Sequence, residues 1–542
     1  MNYFTTRETH LFPSFRLDVK EQEKLDRFLL LLDRSDVAEL FPLKDMNEIK
    51  SGGRPHYSYH DLFAVILYGF AFSSGTLRDL EDSCRFDLRY IYLMQENMPS
   101  YVVFAEMINT FILPNRKEIF KRILKAILKE TGVTVEDLFI DGSKFEADAN
   151  KYKFVWKPTT YHLNLSDKIR FLLNEAGLSR SVPEKGILPS SLIADKLTVL
   201  IAKAKDDTSL KKKCDLLYAH LIKSLEYEEK ERICGENRNS YYKTDHDATA
   251  MTLKQDYYSG LASNMHAAYN VQLSVARGII CSYYVSQSRN DIDDFIPVLK
   301  AFYDNTGFYP ERVCADAGYG SLKNYRFLKE KRIGNYVKYY SFEGNVSGKN
   351  PDCCELKEDH TLICLNGAEG VRIDIKNRHP RKAGSLFYKV EGCASCAFSA
   401  YCKRYMNKKD EDFKIFEVQE ELTFYKQEAF NNLLTPKGIE MRVNRSSQVE
   451  GAFGVIKEDM DYTRLRRTSL EKVETEMMLT FLGYNIRKLF RFYSGKAKFN
   501  YWKAPEGLQS EKKKKPSAKR LSNKALKIRK KSVNEKAKEY KY

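Results

Sequence analysis

Apolar residues recur at helical spacing over Glu21 to Asp33, where Leu25, Phe28, Leu29 and Leu32 share one face. After the break Gly52-Gly53-Arg54-Pro55, a helix is expected from near Ser58, carrying the apolar run Leu62 to Phe72. Shorter helices are expected around Leu77 to Cys84, Ser100 to Ile112 and Asn115 to Glu130. The texture changes at Val135 to Asp141, a short apolar run that reads as a buried strand ending on a carboxylate. The following stretch, through Tyr241, is again helical and charge-rich, and reads as an insertion. Strand character returns in Ala268 to Val275 and Ile279 to Ser286, joined by a hairpin turn at Ala276-Arg277-Gly278. A helix over Asp291 to Tyr303, capped by Asn290, comes next. Then follow a strand over Arg312 to Ala315, a helix over Leu322 to Lys331, a strand over Asn335 to Tyr340, and helices over Arg445 to Asp459 and Ser469 to Phe492. Stripped of insertions, the order is strand, hairpin, helix, strand, helix, strand, helix, which predicts an α/β fold with a mixed sheet flanked by helices.

Composition adds scale and charge to that outline. A chain of 542 residues with 43% apolar content buries more than one core, so three or four structural units are expected. Met1 to Phe15 lacks the basic and apolar regions of a secretory signal, and Leu62 to Phe72 falls short of the roughly 20 residues that span a bilayer. A soluble, intracellular protein with no membrane partner is the expectation. Of the net charge of +17, Glu511 to Tyr542 carries +11, from 14 Lys or Arg against 3 Glu, which leaves +6 for the remainder. That tail, with Lys512, Lys513, Lys514 and Lys515, reads as a mobile arm for phosphate contact, or as a solubilising extension. Arg54, Arg78, Arg85 and Arg89, at the turns of the N-terminal helices, fit helix-turn-helix DNA reading and fit plain packing equally.

The candidate chemistry lies in carboxylates and thiols. Asp141 and Asp316 each follow a predicted strand, and on parallel neighbours they would meet at the sheet edge where open α/β sheets place ligands. Magnesium needs only two or three such carboxylates, and a pair of ions serves phosphoryl transfer. An aspartate after a strand is also a common turn residue or cap. On the Arg445 to Asp459 helix, Val449, Ala452, Phe453 and Ile456 form an apolar stripe bordered by Glu450, with Lys457 two turns further on the same face. An exposed Glu with a solvated Lys is the plain alternative. Asp148, Asp245, Asp247, Asp291, Asp293 and Asp294 read as caps or surface charges. Six of the eleven cysteines fall between Tyr340 and Phe424, among them Cys353 and Cys354. Cys364, Cys393, Cys396 and Cys402 form a candidate tetrahedral zinc site, with free thiols as the alternative.

Five segments carry a resemblance: Phe139 to Tyr152 (FIDGSKFEADANKY), Lys243 to Thr249 (KTDHDAT), Tyr269 to Gln272 (YNVQ), Ala315 to Gly320 (ADAGYG) and Val449 to Lys457 (VEGAFGVIK). In this order they resemble the blocks of bacterial insertion-sequence transposases of the DDE superfamily. The resemblance implies an RNase H-like mixed-sheet core in which Asp141, Asp316 and Glu450 are the catalytic carboxylates, holding magnesium or manganese, with Lys457 against the DNA backbone. Similar transposases also carry a cysteine-bearing stretch between these blocks. Many relatives place an arginine four residues before the glutamate; here Ser446 stands in that position with Arg445 beside it, which leaves the DNA-contact role of Arg445 open. The implied layout is a helical DNA-binding domain over 1–132, core over 133–160, a helical insertion over 161–245, core over 246–340, a cysteine-rich insertion over 341–424, core helices over 425–495 and a basic disordered tail over 496–542. The implied activity is phosphodiester cleavage at element ends followed by strand transfer of the freed 3′-OH. Its partners would be double-stranded DNA, as terminal inverted repeats and target, and further copies of the chain, in a cytoplasmic, nucleoid-associated setting. A transposase-derived DNA-binding protein without catalysis, and a nuclease that cuts without joining, are the competing readings.

Overall fold

Val271, Leu273 and Val275 alternate with Asn270, Gln272 and Ser274, so a strand through them offers each face of a sheet a different chemistry. In the computed structural model that strand lies inside a mixed sheet. The structure describes residues 17–42, 57–73, 76–204, 207–236, 238–253, 265–375, 383–406, 410–496, 499, 501–505, 517–518 and 520–521. We label the strands β1 (Asp137–Glu146), β2 (Met265–Ala276), β3 (Ile279–Ser286), β4 (Arg312–Ala315) and β5 (Gly334–Val337). Their spatial order is β3-β2-β1-β4-β5, with a short strand, Thr249–Thr252, also pairing with β2. β2 runs antiparallel to β1 and β3, whereas β1, β4 and β5 are mutually parallel. Arg277 and Gly278 turn the β2–β3 hairpin with φ of 48° and 77°, as a two-residue loop between twisted strands requires.

Both faces of the sheet are covered. Asn270 approaches Asp294, and the Ser282 hydroxyl donates to the Val298 carbonyl at 2.8 Å, so this polar face meets the helix Phe295–Thr306. Asp141 and Ser143, on the other face, meet a helical run from Pro436 to Asp459. The run is longer than the sequence pattern predicts and contains two π segments, Ser446–Glu450 and Val455–Asp459, separated by the α-turn Gly451–Gly454.

The N-terminal helices Val19–Arg34, Tyr59–Phe72 and Leu113–Thr131 share one hydrophobic core with the sheet and with the helix Leu470–Tyr493. Asp18 and Ser58 cap the first two of them, each accepting a backbone N–H. Tyr59–Phe72 is apolar nearly all round because it packs directly on Leu470–Tyr493; a Cβ at Gly483 would stand 2.5 Å from the Phe70 carbonyl oxygen. Arg85 pairs with Glu81, Arg89 with Asp87, and Arg78 lies over the Tyr101 ring. Arg54 and Lys512 to Lys515 lie outside the described residues.

Between β1 and the Thr249–Thr252 strand, Phe154–Trp156 pairs with Ser240–Tyr242 and brings together the ends of a segment containing three helices, Thr159–Glu175, Ser190–Lys203 and Thr208–Cys234. These helices bury their own cluster, including Ile169, Leu173, Ile193 and Leu200. Residues 354–418 form a five-stranded antiparallel sheet around Leu356, Leu362, Tyr388, Val390, Phe416 and Val418. No helix among the described residues is long and apolar enough to cross a membrane.

Candidate active site

The parallel register of β1 and β4 ends at the pair Ile140 and Ala315. The next residues are Asp141 and Asp316, so the two carboxylates stand on adjacent chains, whose spacing in a sheet is about 5 Å. Asp141 does not end its strand as the sequence suggests. The antiparallel partner β2 carries β1 on to Glu146, with Asp141 opposite Leu273. At Asp316 the chain does leave the sheet, into a turn in which Ala317 N–H donates to Asp316 Oδ1 at 2.7 Å.

Glu450 reaches the same place from the helix above. Val449, Ala452, Phe453 and Ile456 are all buried against the sheet, which leaves Glu450 at the border of the packed stripe. Arg445 joins the groups: it donates to Asp141 Oδ2 at 3.0 Å and to Glu450 Oε1 at 2.9 Å, while Ser446 Oγ donates to Glu450 Oε2 at 2.7 Å. In a regular α-helix residues five apart do not face each other, but hydrogen bonds in a π turn run to i+5. The π segment Ser446–Glu450 therefore places Arg445 over Glu450 despite the extra residue between them. Gln448, on the buried side of that turn, accepts from Gly278 N–H at 3.0 Å and ties it to the hairpin.

Electrostatics follow from this crowding. Burial pushes the Asp141 carboxyl above its usual range; Arg445 opposes the shift, and Asp316 and Glu450 add to it. Burial disfavours the Arg445 guanidinium, but Asp141, Asp316 and Glu450 together outweigh that and hold it charged. Three acidic groups thus surround one fixed cation. Lys457 approaches the same strand. Its ammonium donates to Ser143 Oγ at 2.8 Å and to the Lys144 carbonyl at 2.9 Å and sits 4.5 Å from the Phe145 ring centroid, further along β1.

A network that sequence reasoning missed backs the site from the opposite face. Asp291 Oδ1 accepts from Asn270 at 2.7 Å and from Gln272 at 2.8 Å, and Gln272 Oε1 accepts from the Tyr319 hydroxyl, within the turn that follows Asp316. Gly142, beside Asp141, makes room for Gln272; a Cβ there would meet the amide at 2.4 Å. Asp291 and Asp294 thus belong to this cluster, and the helix starts at Phe295 instead of Asp291. Asp294 is buried, and desolvation raises its carboxyl from 3.8 to about 7. The folded state therefore binds this proton more tightly than the unfolded chain, so the group costs nothing below about pH 4 and destabilises the fold progressively up to about pH 7. Asp294→Asn is expected to equal the parent in urea stability at pH 4 and to exceed it by about 2 to 4 kcal/mol at pH 8. Equal stability at both pH values would refute the assignment.

Asp245 and Asp247, from the segment Lys243 to Thr249, act as remote caps: Asp245 accepts from Ser469 N–H at 3.3 Å and Asp247 from Leu470 N–H at 2.8 Å. Asp148 pairs with Arg464 at 3.3 Å. The cysteines do not support zinc. Cys364, Cys393, Cys396 and Cys402 line one small cavity, yet Cys402 hydrogen-bonds to Cys353, a contact that lowers the Cys353 thiol below its ordinary range. Among the described residues no group of three or more His, Cys, Asp or Glu side chains is gathered as a metal site. At the carboxylates, Arg445 stands in the midst of the group; the donors themselves are all oxygen and suit a hard divalent cation.

The family model described as Transposase DDE domain matches residues 363–490, a span that contains Arg445, Glu450 and Lys457 but begins after Asp141 and Asp316. The model described as Transposase domain (DUF772) matches residues 14–110, in the N-terminal helices. Comparison with curated proteins and with solved structures gives no match. DDE transposases use divalent metal ions and act on DNA. One transposase model thus matches in the N-terminal helices and a second over the helix that carries Glu450, and the two together support kinship with insertion-sequence transposases of the DDE type.

Proposed function

We propose that the mixed sheet is an RNase H-like catalytic core that cuts a phosphodiester at the ends of an insertion sequence and transfers the freed 3′-OH to target DNA. The observation that carries this reading is the convergence of Asp141, Asp316 and Glu450 around one cation, Arg445. The strand order β3-β2-β1-β4-β5, with its antiparallel first half and parallel second half, supports the fold assignment. Asp141, Asp316 and Glu450 would hold magnesium or manganese, which supplies charge neutralisation at the reacting phosphate. Within the chain, Arg445 keeps the acidic groups together, and the Gln272–Tyr319 contact fixes the turn behind Asp316. Lys457, held to β1, offers a positive charge to the DNA backbone beside the site. The N-terminal helices and the basic tail are assigned to DNA binding, and pairing of two element ends calls for an assembly of several copies.

Incubation with a duplex that carries an element end and flanking DNA tests this. With magnesium, the expected products are a nick ending in 3′-OH at the element border and a joined species; chelation removes both. Nicking without joining would identify a nuclease, and binding without nicking a DNA-binding protein that has lost catalysis.

A further inference from the structure

We infer that the ribbon Lys151 to Lys157 is a separate binding site for an unpaired DNA strand, whose bases stack on Phe154 and Trp156. The inference rests on the DNA-processing reading above for the class of its ligand.

Tyr152, Phe154, Trp156 and Tyr161 are 80%, 45%, 46% and 70% exposed. Isolated exposed rings are ordinary, but rings held side by side on one strand offer a stacking surface. Phe154 and Trp156 are two apart on a strand, so both point to one side, with ring centroids 5.7 Å apart and planes at 82°. Among the described residues this strand pairs only with Ser240–Tyr242. The segment is basic. Lys151, Lys153 and Lys157 interleave with the rings in sequence, and there is no carboxylate from Ala149 to Ser166. Arg289 lies 5.4 Å from the Trp156 ring centroid.

That charge selects a polyanion, and the rings select one whose bases are free, because a duplex keeps its base faces stacked inside. The ribbon stands apart from the carboxylates: Lys144, which senses the Arg289 charge, pairs with Asn270 and so lies on the face of the sheet opposite Asp141.

The chain has two tryptophans, Trp156 and Trp502, so Trp502→Phe leaves Trp156 as the sole indole reporter. Titration of this full-length variant with a short oligothymidylate, in chelator and without divalent metal, is expected to quench its fluorescence to saturation. Phe154→Ala and Trp156→Leu should each weaken oligothymidylate binding about 5- to 100-fold, measured by anisotropy, while Trp156→Phe stays within about 3-fold. Affinity for a blunt duplex should not change. Absence of quenching, unchanged affinity in both Phe154→Ala and Trp156→Leu, or an equal loss on duplex would overturn the inference. Far-ultraviolet circular dichroism identifies a variant that fails to fold, and the other variant then decides. A chain that binds oligothymidylate in this way yet never cuts DNA would refute the catalytic reading and leave the ribbon assignment standing.

Discussion

Asp141→Asn is expected to lower metal-dependent cleavage and joining by about 1,000-fold or more while DNA affinity stays within about 2-fold of the parent. The amide has the carboxylate's shape and can still accept from Arg445, so the strand and the helix above it keep their places. What disappears is one of the negative charges that make this corner attractive to a divalent cation. Asp148→Asn is the matched control, since Asp148 is half exposed and is paired to Arg464. Gel assays with labelled end DNA read both products, and anisotropy reads binding. Undiminished joining by Asp141→Asn would show that the site lies elsewhere.

Glu476→Leu is expected to cost about 3 to 5 kcal/mol of stability in urea denaturation, the largest effect foreseen away from the site. Glu476 is 2% exposed in the middle of the helix Leu470–Tyr493. Burial pushes its carboxyl above the ordinary range, and the Tyr462 hydroxyl and the backbone of Arg466 oppose that shift. It accepts from that hydroxyl and from the N–H groups of Arg466 at 2.9 Å and Arg467 at 3.1 Å. Leucine fills the volume and strands these three donors. Glu476→Gln keeps one accepting oxygen and should cost about 1 to 3 kcal/mol. A leucine variant as stable as the parent would mean that the segment Tyr462 to Arg467 finds other partners.

The central strands and the helices around them are legible in the chain because their patterns are local. Apolar runs such as Leu138-Phe139-Ile140 and Val313-Cys314-Ala315 are buried on the sheet whatever their neighbours do. The reach of β1 beyond Asp141 is not local. Gly142, Ser143 and Lys144 show no strand preference and are held by Gln272, Val271 and Asn270 from more than a hundred residues away. The same distance hides the start of the helix at Phe295. Asn290 looks like a cap in sequence, but Asp291 is taken by Asn270 and Gln272, so the chain turns once more before the helix begins. In the cysteine segment, the first two strands, Cys354–Leu356 and Leu362–Cys364, have three residues each, too few for an alternation to declare itself. Of the candidate site, the sequence offers Asp141, Asp316 and Glu450 as acidic residues, but it does not show that Arg445 bridges Asp141 and Glu450, since nothing in Arg-Ser-Ser-Gln-Val-Glu announces a π turn.

That turn bears on how such a site changes over time. Each residue of an α-helix advances the chain by about 100°, so one inserted residue ordinarily rotates everything beyond it off its partner. Here the surplus is absorbed within Ser446–Glu450, and Arg445 and Glu450 remain face to face. Deletion of Ser447 with relaxation to a regular helix would leave the pair at the four-residue spacing and facing alike. The separation of arginine and glutamate is therefore free to drift by one residue without selection noticing, and kinship between such chains is better judged from which side chains meet than from how many residues lie between them.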